Sequence, residues 1–314
     1  MDIVVFGAGA LGSLVGGTLA REHHVTLVAR DPHARRIAGQ GLRVVGELDA
    51  HTRPRATTVP THEDLTCDLV LVTVKAYDTE AAARTLATGD PEVVCSLSNG
   101  LCEETLAEHL GDRVLAGSAT YGAELVGPGE VRCTGVGRIH VGEFADGRLD
   151  GDGADGASHR AERVAAAFRE AGLDCTADPE MSRRRWEKLA VNAGINAVTA
   201  LARVPNGALA DAPGRAVAHR AARETARVAR SEGVELADGE AVAAVDTVVR
   251  ETAANRSSMR QDVKSESRTE VDAINGAVVE RGAAAGIDTP TNRTMADLLR
   301  TWEGERIEER SERG

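Results

Sequence analysis

Ile3-Val-Val-Phe6 reads as a buried strand that runs directly into Gly7-Ala8-Gly9-Ala10-Leu11-Gly12. A helix over Ser13 to Arg21 and a second strand over His24 to Ala29 follow. Strand, glycine motif, helix and strand within about thirty residues make a βαβ unit, and that context gives GxGxxG its meaning. Each glycine has a mechanical task. Gly7 makes the tight turn, Gly9 lets a pyrophosphate approach the backbone, and Gly12 allows the helix to pack closely on the strand. The free N–H groups of the helix start then face the anion, so Gly7, Ala8, Gly9, Ala10, Leu11 and Gly12 are the expected dinucleotide contacts.

Where the second strand ends, a site for an unphosphorylated ribose would carry Asp or Glu, whereas Arg30 stands here and Asp31 follows it. A guanidinium suits a 2′-phosphate, so NADP(H) is the expected cofactor, an ordinary surface charge being the plainer alternative. Asp68 to Val74 and Val93 to Leu97 read as further buried parallel strands. They lead into Lys75-Ala-Tyr77 and Ser98-Asn99-Gly100, at the carboxyl ends where ligands of open α/β sheets collect. Val114 to Tyr121 and Val131 to Gly142 read as strands at the far end of the same sheet. The stretch from Ala145 to His159 is rich in Gly and Asp and lacks both the spaced Glu and the flanking helices of a calcium loop. It reads as a solvated loop. A helix over Arg160 to Ala171 and a strand over Leu173 to Ala177 complete this half.

Beyond Pro179 the periodicity is helical throughout, and a chain of 314 residues exceeds what one core usually supports. The expected architecture is a Rossmann-type α/β parallel-sheet domain over 1–179 and an all-helical domain over 180–314. Helices are expected over Met181 to Ala202, Asp211 to Glu232 with Asp211 as N-cap, Asp238 to Ala254, Thr269 to Ala285, and from Thr289-Pro290 into the charged tail. Gly233 and Gly286 fall where helices end on glycine. Asn255 to Lys264 reads as a polar run between helices.

Of 37 basic residues only three, Lys75, Lys188 and Lys264, are lysine, which makes each conspicuous. Lys188, Asn192 and Asn196 recur at i, i+4 and i+8 in an Ala/Val/Ile/Leu segment, so one cation and two amides project from one helix face. Such a face suits a small polar ligand, although a surface lysine beside two core-edge amides would look the same. The net charge of −12 opposes nucleic-acid binding. No apolar run reaches membrane-spanning length and no signal peptide precedes Asp2, so a cytoplasmic location without membrane association is expected. Five scattered cysteines, none in CxxC spacing, read as small buried hydrophobes rather than disulfides or metal ligands, and no metal is expected.

The Gly-rich turn, Lys75, Asn99-Gly100, Trp186/Lys188/Asn192/Asn196, Pro205-Asn206-Gly207, Ser257-Ser258-Met259 and Glu270 to Gly276 together resemble the ketopantoate reductase (2-dehydropantoate 2-reductase) family, from Ile3 to about Met295. The resemblance implies a nicotinamide-binding Rossmann domain, a helical domain, and NADPH-dependent reduction of ketopantoate to pantoate for coenzyme A synthesis. It implies Lys188 as general acid and Glu270 as a second catalytic residue, bonded to the substrate hydroxyl or to Lys188. Asn99, Asn192, Asn196, Asn206, Asn255 and Ser258 are implied substrate contacts, and Arg30, Lys75 and Asn99 implied NADP contacts. One departure is Cys102, where the family commonly has a glycine after Asn-Gly-x. The chemistry agrees. Hydride arriving at a ketone carbon leaves an alkoxide, which needs a proton donor within about 3 Å, and no histidine here sits in a polar constellation. An ammonium partly desolvated among apolar neighbours serves both to bind a keto acid and to give up a proton. The expected partner is a small-molecule 2-keto acid, and a homodimer through the helical half is the expected assembly. Reduction of another branched 2-keto acid and a non-catalytic NADP-binding sensor are the alternatives.

Overall fold

The computed structural model describes residues 1–144, 158–211 and 213–311. The chain forms two compact units: Met1–Ser98 with Cys102–Ser182, and Asn99–Leu101 with Arg183–Gly314.

The first unit runs β1 (Asp2–Phe6), α1 (Ala10–Leu19), β2 (His24–Val28), α2 (His33–Gln40), β3 (Leu42–Gly46), β4 (Ala50–Thr52), β5 (Arg55–Thr57), β6 (Leu69–Val72), α3 (Thr79–Leu86) and β7 (Val93–Ser96). It continues with α4 (Glu103–Leu110), β8 (Val114–Ala119), β9 (Gly122–Gly127), β10 (Glu130–Gly135), β11 (Ile139–Gly142), α5 (His159–Glu170) and β12 (Cys175–Ala177). The large sheet has the order β12-β11-β8-β7-β6-β1-β2-β5. Strands β5, β2, β1, β6, β7 and β8 are mutually parallel, while β11 runs antiparallel to β8. Counted along the chain, the parallel part has the doubly wound order 3-2-1-4-5-6. Apolar runs such as Leu69–Val72 arise because both faces are covered. Ile3, Val5, Leu69 and Leu71 join Leu14, Val15 and Phe168 of α1 and α5, whereas Val4, Val70, Val72 and Val94 join Leu86 and Leu106 of α3 and α4.

Helix α1 starts at Ala10, three residues before the expected Ser13, because the Gly9 carbonyl already accepts the Ser13 N–H. It is buried continuously from Gly12 to Leu19. The cause is a second sheet, β4-β3-β10-β9, on its other side. A Cβ at Gly16 would stand 2.5 Å from Leu27, and one at Gly17 would stand 2.8 Å from Leu42 in β3. Adjacent glycines thus let one helix lie between two sheets. The expected strand region Val131 to Gly142 is corrected here: β10 pairs in parallel with β3 in the small sheet, and only β11 belongs to the large one. The Gly/Asp stretch 145–157 lies outside the described residues, and Ser158 caps α5 by accepting the Ala161 N–H at 3.1 Å. Four cysteines are buried and Cys67 is half-buried, all of them as free thiols. Burial pushes the Cys67 thiol up to about 11 and that of Cys175 up to about 12, so both stay protonated at neutral pH.

The second unit contains α6 (Met181–Ala202), α7 (Gly214–Ser231), α8 (Asp238–Glu251), α9 (Ser258–Lys264), a π-helical turn over Asp272–Gly276, α10 (Ala277–Ala284) and α11 (Pro290–Ser311). Three boundaries differ from expectation. Helix α7 begins at Gly214 after Pro213, not on a cap from Asp211, whose backbone carbonyl accepts the Arg215 N–H. The polar run contains α9, capped by the Ser257 hydroxyl on the Arg260 N–H at 3.1 Å. The expected Thr269 to Ala285 helix is a π turn followed by a short α-helix. Gly233 and Gly286 take φ of +81° and +69° just past their helices, the left-handed ending expected of them. The core is rich in alanine, and α6 approaches α7 so closely that a Cβ at Gly194 would lie 2.9 Å from the Ala218 carbonyl. No helix among the described residues is long and apolar enough to cross a membrane.

Candidate active site

The glycine turn lies between the carboxyl ends of β1 and β6, where the strand order reverses. Gly7 has φ +103°, and its N–H and that of Ala8 donate to the Val28 carbonyl at 3.1 and 2.8 Å. Thr73 Oγ1 donates to the Gly7 carbonyl at 2.8 Å, and a Cβ at Gly12 would meet that hydroxyl at 2.4 Å. Gly9 is different: it is exposed, and a Cβ there would have only the Gly7 carbonyl within 4 Å, at 3.9 Å. Gly9 opens α1 without any side-chain cap, which leaves the first-turn N–H groups facing that open space. Bare amides, a helix N-terminus and no obstructing Cβ fit a dinucleotide pyrophosphate.

At the end of β2 the exposed Arg30 guanidinium donates to Asp78 at 3.0 Å. Asp78 belongs to a 3₁₀ turn, Ala76–Asp78, that begins just after the half-buried Lys75. Asp31 accepts from both the backbone N–H and the guanidinium of Arg35, at 3.2 and 2.9 Å. Its carboxylate is thereby drawn towards α2. Lys264, the third lysine, is exposed in the last turn of α9, where a cation complements the helix dipole.

Contrary to the expectation that no histidine sits in a polar constellation, the buried His33 supports the turn through Ser13. The Gly129 N–H donates to His33 Nδ1 at 3.0 Å, which leaves the proton on Nε2. That nitrogen lies 2.9 Å from Ser13 Oγ, which in turn donates to the Ala8 carbonyl at 3.1 Å. Burial holds the His33 pKa below its ordinary value, and protonation at Nδ1 would set two donors against each other. Because the folded pKa is the depressed one, His33 contributes stability that is present above the ordinary value of 6.5 and is lost as pH falls below it. In urea unfolding at a series of pH values, wild type is expected to lose stability below pH 6.5 more steeply than His33→Gln. Equal slopes would remove His33 from the acid response.

In the second unit, Lys188, Asn192 and Asn196 share one face of α6, the first two half-buried and Asn196 buried. Trp186, two residues before Lys188, is 3% exposed and packs under the Arg281 guanidinium at 5.9 Å. Three residues following β7 also belong to this unit. Asn99 Nδ2 donates to Glu270 Oε2 at 2.9 Å, Gly100 at φ +87° passes so close that a Cβ would lie 2.7 Å from the Ala273 carbonyl, and Leu101 is buried in the helical core. Asn99, expected at the strand ends, is thus engaged with Glu270. The π turn after Glu270 is anchored on α6 by Asn275 Nδ2, which donates to the Ala193 carbonyl at 3.2 Å. Such turns recur at functional sites.

Asn206 is buried and donates to Thr252 Oγ1 at 2.9 Å, and its backbone N–H donates to the carbonyl of exposed Asn255 at 3.0 Å. Ser258 is exposed at the start of α9, whereas Ser257 is buried with its hydroxyl 2.7 Å from Thr199 Oγ1, which bonds the Asn196 carbonyl at 3.1 Å. Sequence reasoning singles out the motif Ser257-Ser258-Met259 but assigns the contact to Ser258, and it does not single out Thr199; the available signal for Ser257 was a serine one residue before a helix start. Cys102, the departure noted above, has an ordinary φ of −82° ahead of α4, a conformation that needs no glycine. Among the described residues, no group of three His, Cys, Asp or Glu side chains is arranged to hold a metal ion.

Residues 3–146 match the family model of ketopantoate reductase PanE/ApbA, and residues 180–303 match that of its C-terminal domain. A 2-dehydropantoate 2-reductase of Halobacterium salinarum is 45% identical, over 96% of this chain and 98% of that protein. The structure of a PanE/ApbA family ketopantoate reductase from Ralstonia eutropha superposes with a TM-score of 0.86 at 32% identity, covering 98% of this chain and all of that one. A D-mandelate dehydrogenase bound to NADH and anilino(oxo)acetate reaches 0.88 at 25% identity, covering 98% and 99%. With the glycine turn at the strand-order reversal and the polar face of α6 both in place, this chain is an oxidoreductase that belongs to the ketopantoate reductase family.

Proposed function

We propose that this protein reduces 2-dehydropantoate to pantoate with NADPH in the cytoplasm, supplying coenzyme A synthesis. The observation that carries the reading is the Asn99–Glu270 bond at 2.9 Å, in the same unit as the Lys188/Asn192/Asn196 face. A bound nicotinamide supplies the hydride. The chain's residues then do the rest. Lys188 donates a proton to the oxygen that would otherwise become an alkoxide, and its ammonium attracts the keto acid's carboxylate. Asn192 and Asn196 orient the substrate, with Asn206, Asn255 and Ser258 as further contacts. Glu270, held by Asn99, accepts a hydrogen bond from the nascent hydroxyl or from Lys188. Gly7 to Gly12 hold the pyrophosphate, while Arg30 and Lys75 bind the phosphorylated ribose side.

The D-mandelate dehydrogenase likeness supports a second reading, reduction of another 2-keto acid with NADH. Single-turnover oxidation of NADPH and of NADH, each with ketopantoate and with other 2-keto acids, separates the two. The expected result is turnover of ketopantoate with NADPH favoured about ten- to a hundredfold in kcat/KM, the worth of a charge-assisted contact from Arg30 to a 2′-phosphate. Comparable values for both cofactors would overturn the NADPH preference. Reduction of another keto acid but not ketopantoate would overturn the substrate.

A further inference from the structure

Glu303 lies near the middle of α11 and is only 8% exposed. One oxygen of its carboxylate, Oε1, accepts both the backbone N–H of Thr269 at 2.6 Å and its hydroxyl at 2.5 Å. The same Thr269 hydroxyl accepts the Val271 N–H at 3.2 Å. The carboxylate thus holds Thr269, the residue before Glu270, directly by its N–H and hydroxyl, and through that hydroxyl the N–H of Val271, the residue after Glu270. The segment before Thr269 is exposed at Ser265, Glu266 and Arg268, with Glu266 at a φ of +52°, the Ser267 N–H donating to the Asp262 carbonyl at 2.9 Å and Arg268 lying 3.7 Å from Asp272. Beyond Glu270 the chain enters the π turn, where the Ile274 N–H donates to the Glu270 carbonyl at 3.1 Å and the Gly276 N–H to that of Val271 at 2.9 Å.

A charge in that position is not required for packing, since buried ionic groups are frequently replaced by apolar residues of similar volume without loss of stability. What the carboxylate supplies is direction, because hydrogen bonds to an ionised acceptor are short and roughly twice as strong as neutral ones. We propose that Glu303 is a positioning residue for the reaction: through Thr269 it fixes the backbone from which Glu270 meets Asn99 and the substrate. This inference rests on the catalytic reading of Glu270 given above.

The test is a double-mutant cycle between positions 303 and 270, read in kcat, KM, dinucleotide affinity and Tm. Glu303→Leu is expected to lower kcat about tenfold, as misplacement of a catalytic group by a fraction of an ångström does, with KM and dinucleotide affinity within about twofold. Glu303→Gln, which keeps an acceptor oxygen, should recover kcat to within about threefold of wild type. In a Glu270→Ala background, neither change at 303 should lower kcat further, because the group being positioned is gone. A loss by the same factor in both backgrounds would make Glu303 merely structural and overturn the proposal, as would an unchanged kcat in Glu303→Leu. If Glu303→Leu does not fold, Glu303→Gln carries the same comparison, with its smaller loss vanishing in the Glu270→Ala background. Near-native kcat in Glu270→Ala alone would overturn the reading of Glu270, and the positioning role with it, and is distinguishable because it needs no change at 303.

Discussion

Lys188→Ala is expected to lower kcat by about a hundredfold or more while leaving dinucleotide affinity within about twofold, the range typical of losing a positioned general acid. The reason is local. Lys188 stands on α6, whereas the groups proposed to hold the pyrophosphate are the N–H groups of the glycine turn that opens α1, and the substitution leaves all of those in the chain. Lys188→Arg sharpens the result. A guanidinium keeps the charge but does not release its proton at neutral pH, so kcat should stay low even where KM recovers. Asn192→Ala and Asn196→Ala should act mainly on KM, at about 1–3 kcal/mol for each buried polar partner left unpaired. Single-turnover kinetics with each variant check the split, and near-native kcat in Lys188→Ala would move the proton donor elsewhere.

Gly7→Ala is expected to weaken dinucleotide binding about a hundredfold and to lower Tm as well, whereas Gly9→Ala should weaken binding with Tm nearly unchanged. At Gly7 the φ of +103° is foreign to a residue with a Cβ, and that atom would stand 2.8 Å from the Val74 backbone nitrogen and 2.7 Å from Val74 Cγ1. Backbone strain of about 1–2 kcal/mol adds to that clash, and about 2.8 kcal/mol in total corresponds to the hundredfold loss. At Gly9 a Cβ meets nothing of the protein closer than 3.9 Å, so the fold tolerates it, but it fills the space through which a pyrophosphate would approach. Dinucleotide titration and thermal melts on both variants read this contrast. Equal Tm losses would mean that Gly9 also serves the fold.

The candidate site was legible to different degrees in different places. The glycine turn was readable because local mechanics dictate it: a left-handed residue, an open backbone and a close helix–strand contact fall at fixed offsets, and Gly7, Gly9 and Gly12 meet those demands in turn. The face formed by Lys188, Asn192 and Asn196 was readable because helical periodicity alone puts them in line. Asn99 was less so. Its position after a strand pointed to the sheet, yet three residues of that loop belong with the helices, where Leu101 is buried and Gly100 admits the Ala273 carbonyl. Glu303 gave no signal, since its partner Thr269 lies 34 residues away and a lone glutamate in a charged helix reads as surface.

By itself the sequence determined the elements whose cause is local: the parallel strands with both faces apolar, the glycine turn that opens α1, and the left-handed helix endings at Gly233 and Gly286. Only the tertiary structure decided the rest. The small sheet joins Val44 to Val131 across most of the first unit, and short strands such as Ala50–Thr52 exist only because α1 and β3 are there to receive them. The π turn after Glu270, the burial of Ser257 in place of Ser258, and the carboxylate clamp on Thr269 likewise depend on partners far along the chain. Hydrophobic period and turn chemistry act over a few residues and are written in the sequence. A pairing between distant segments depends on which surfaces the folded chain brings within hydrogen-bonding distance, and short-range patterns do not encode that choice.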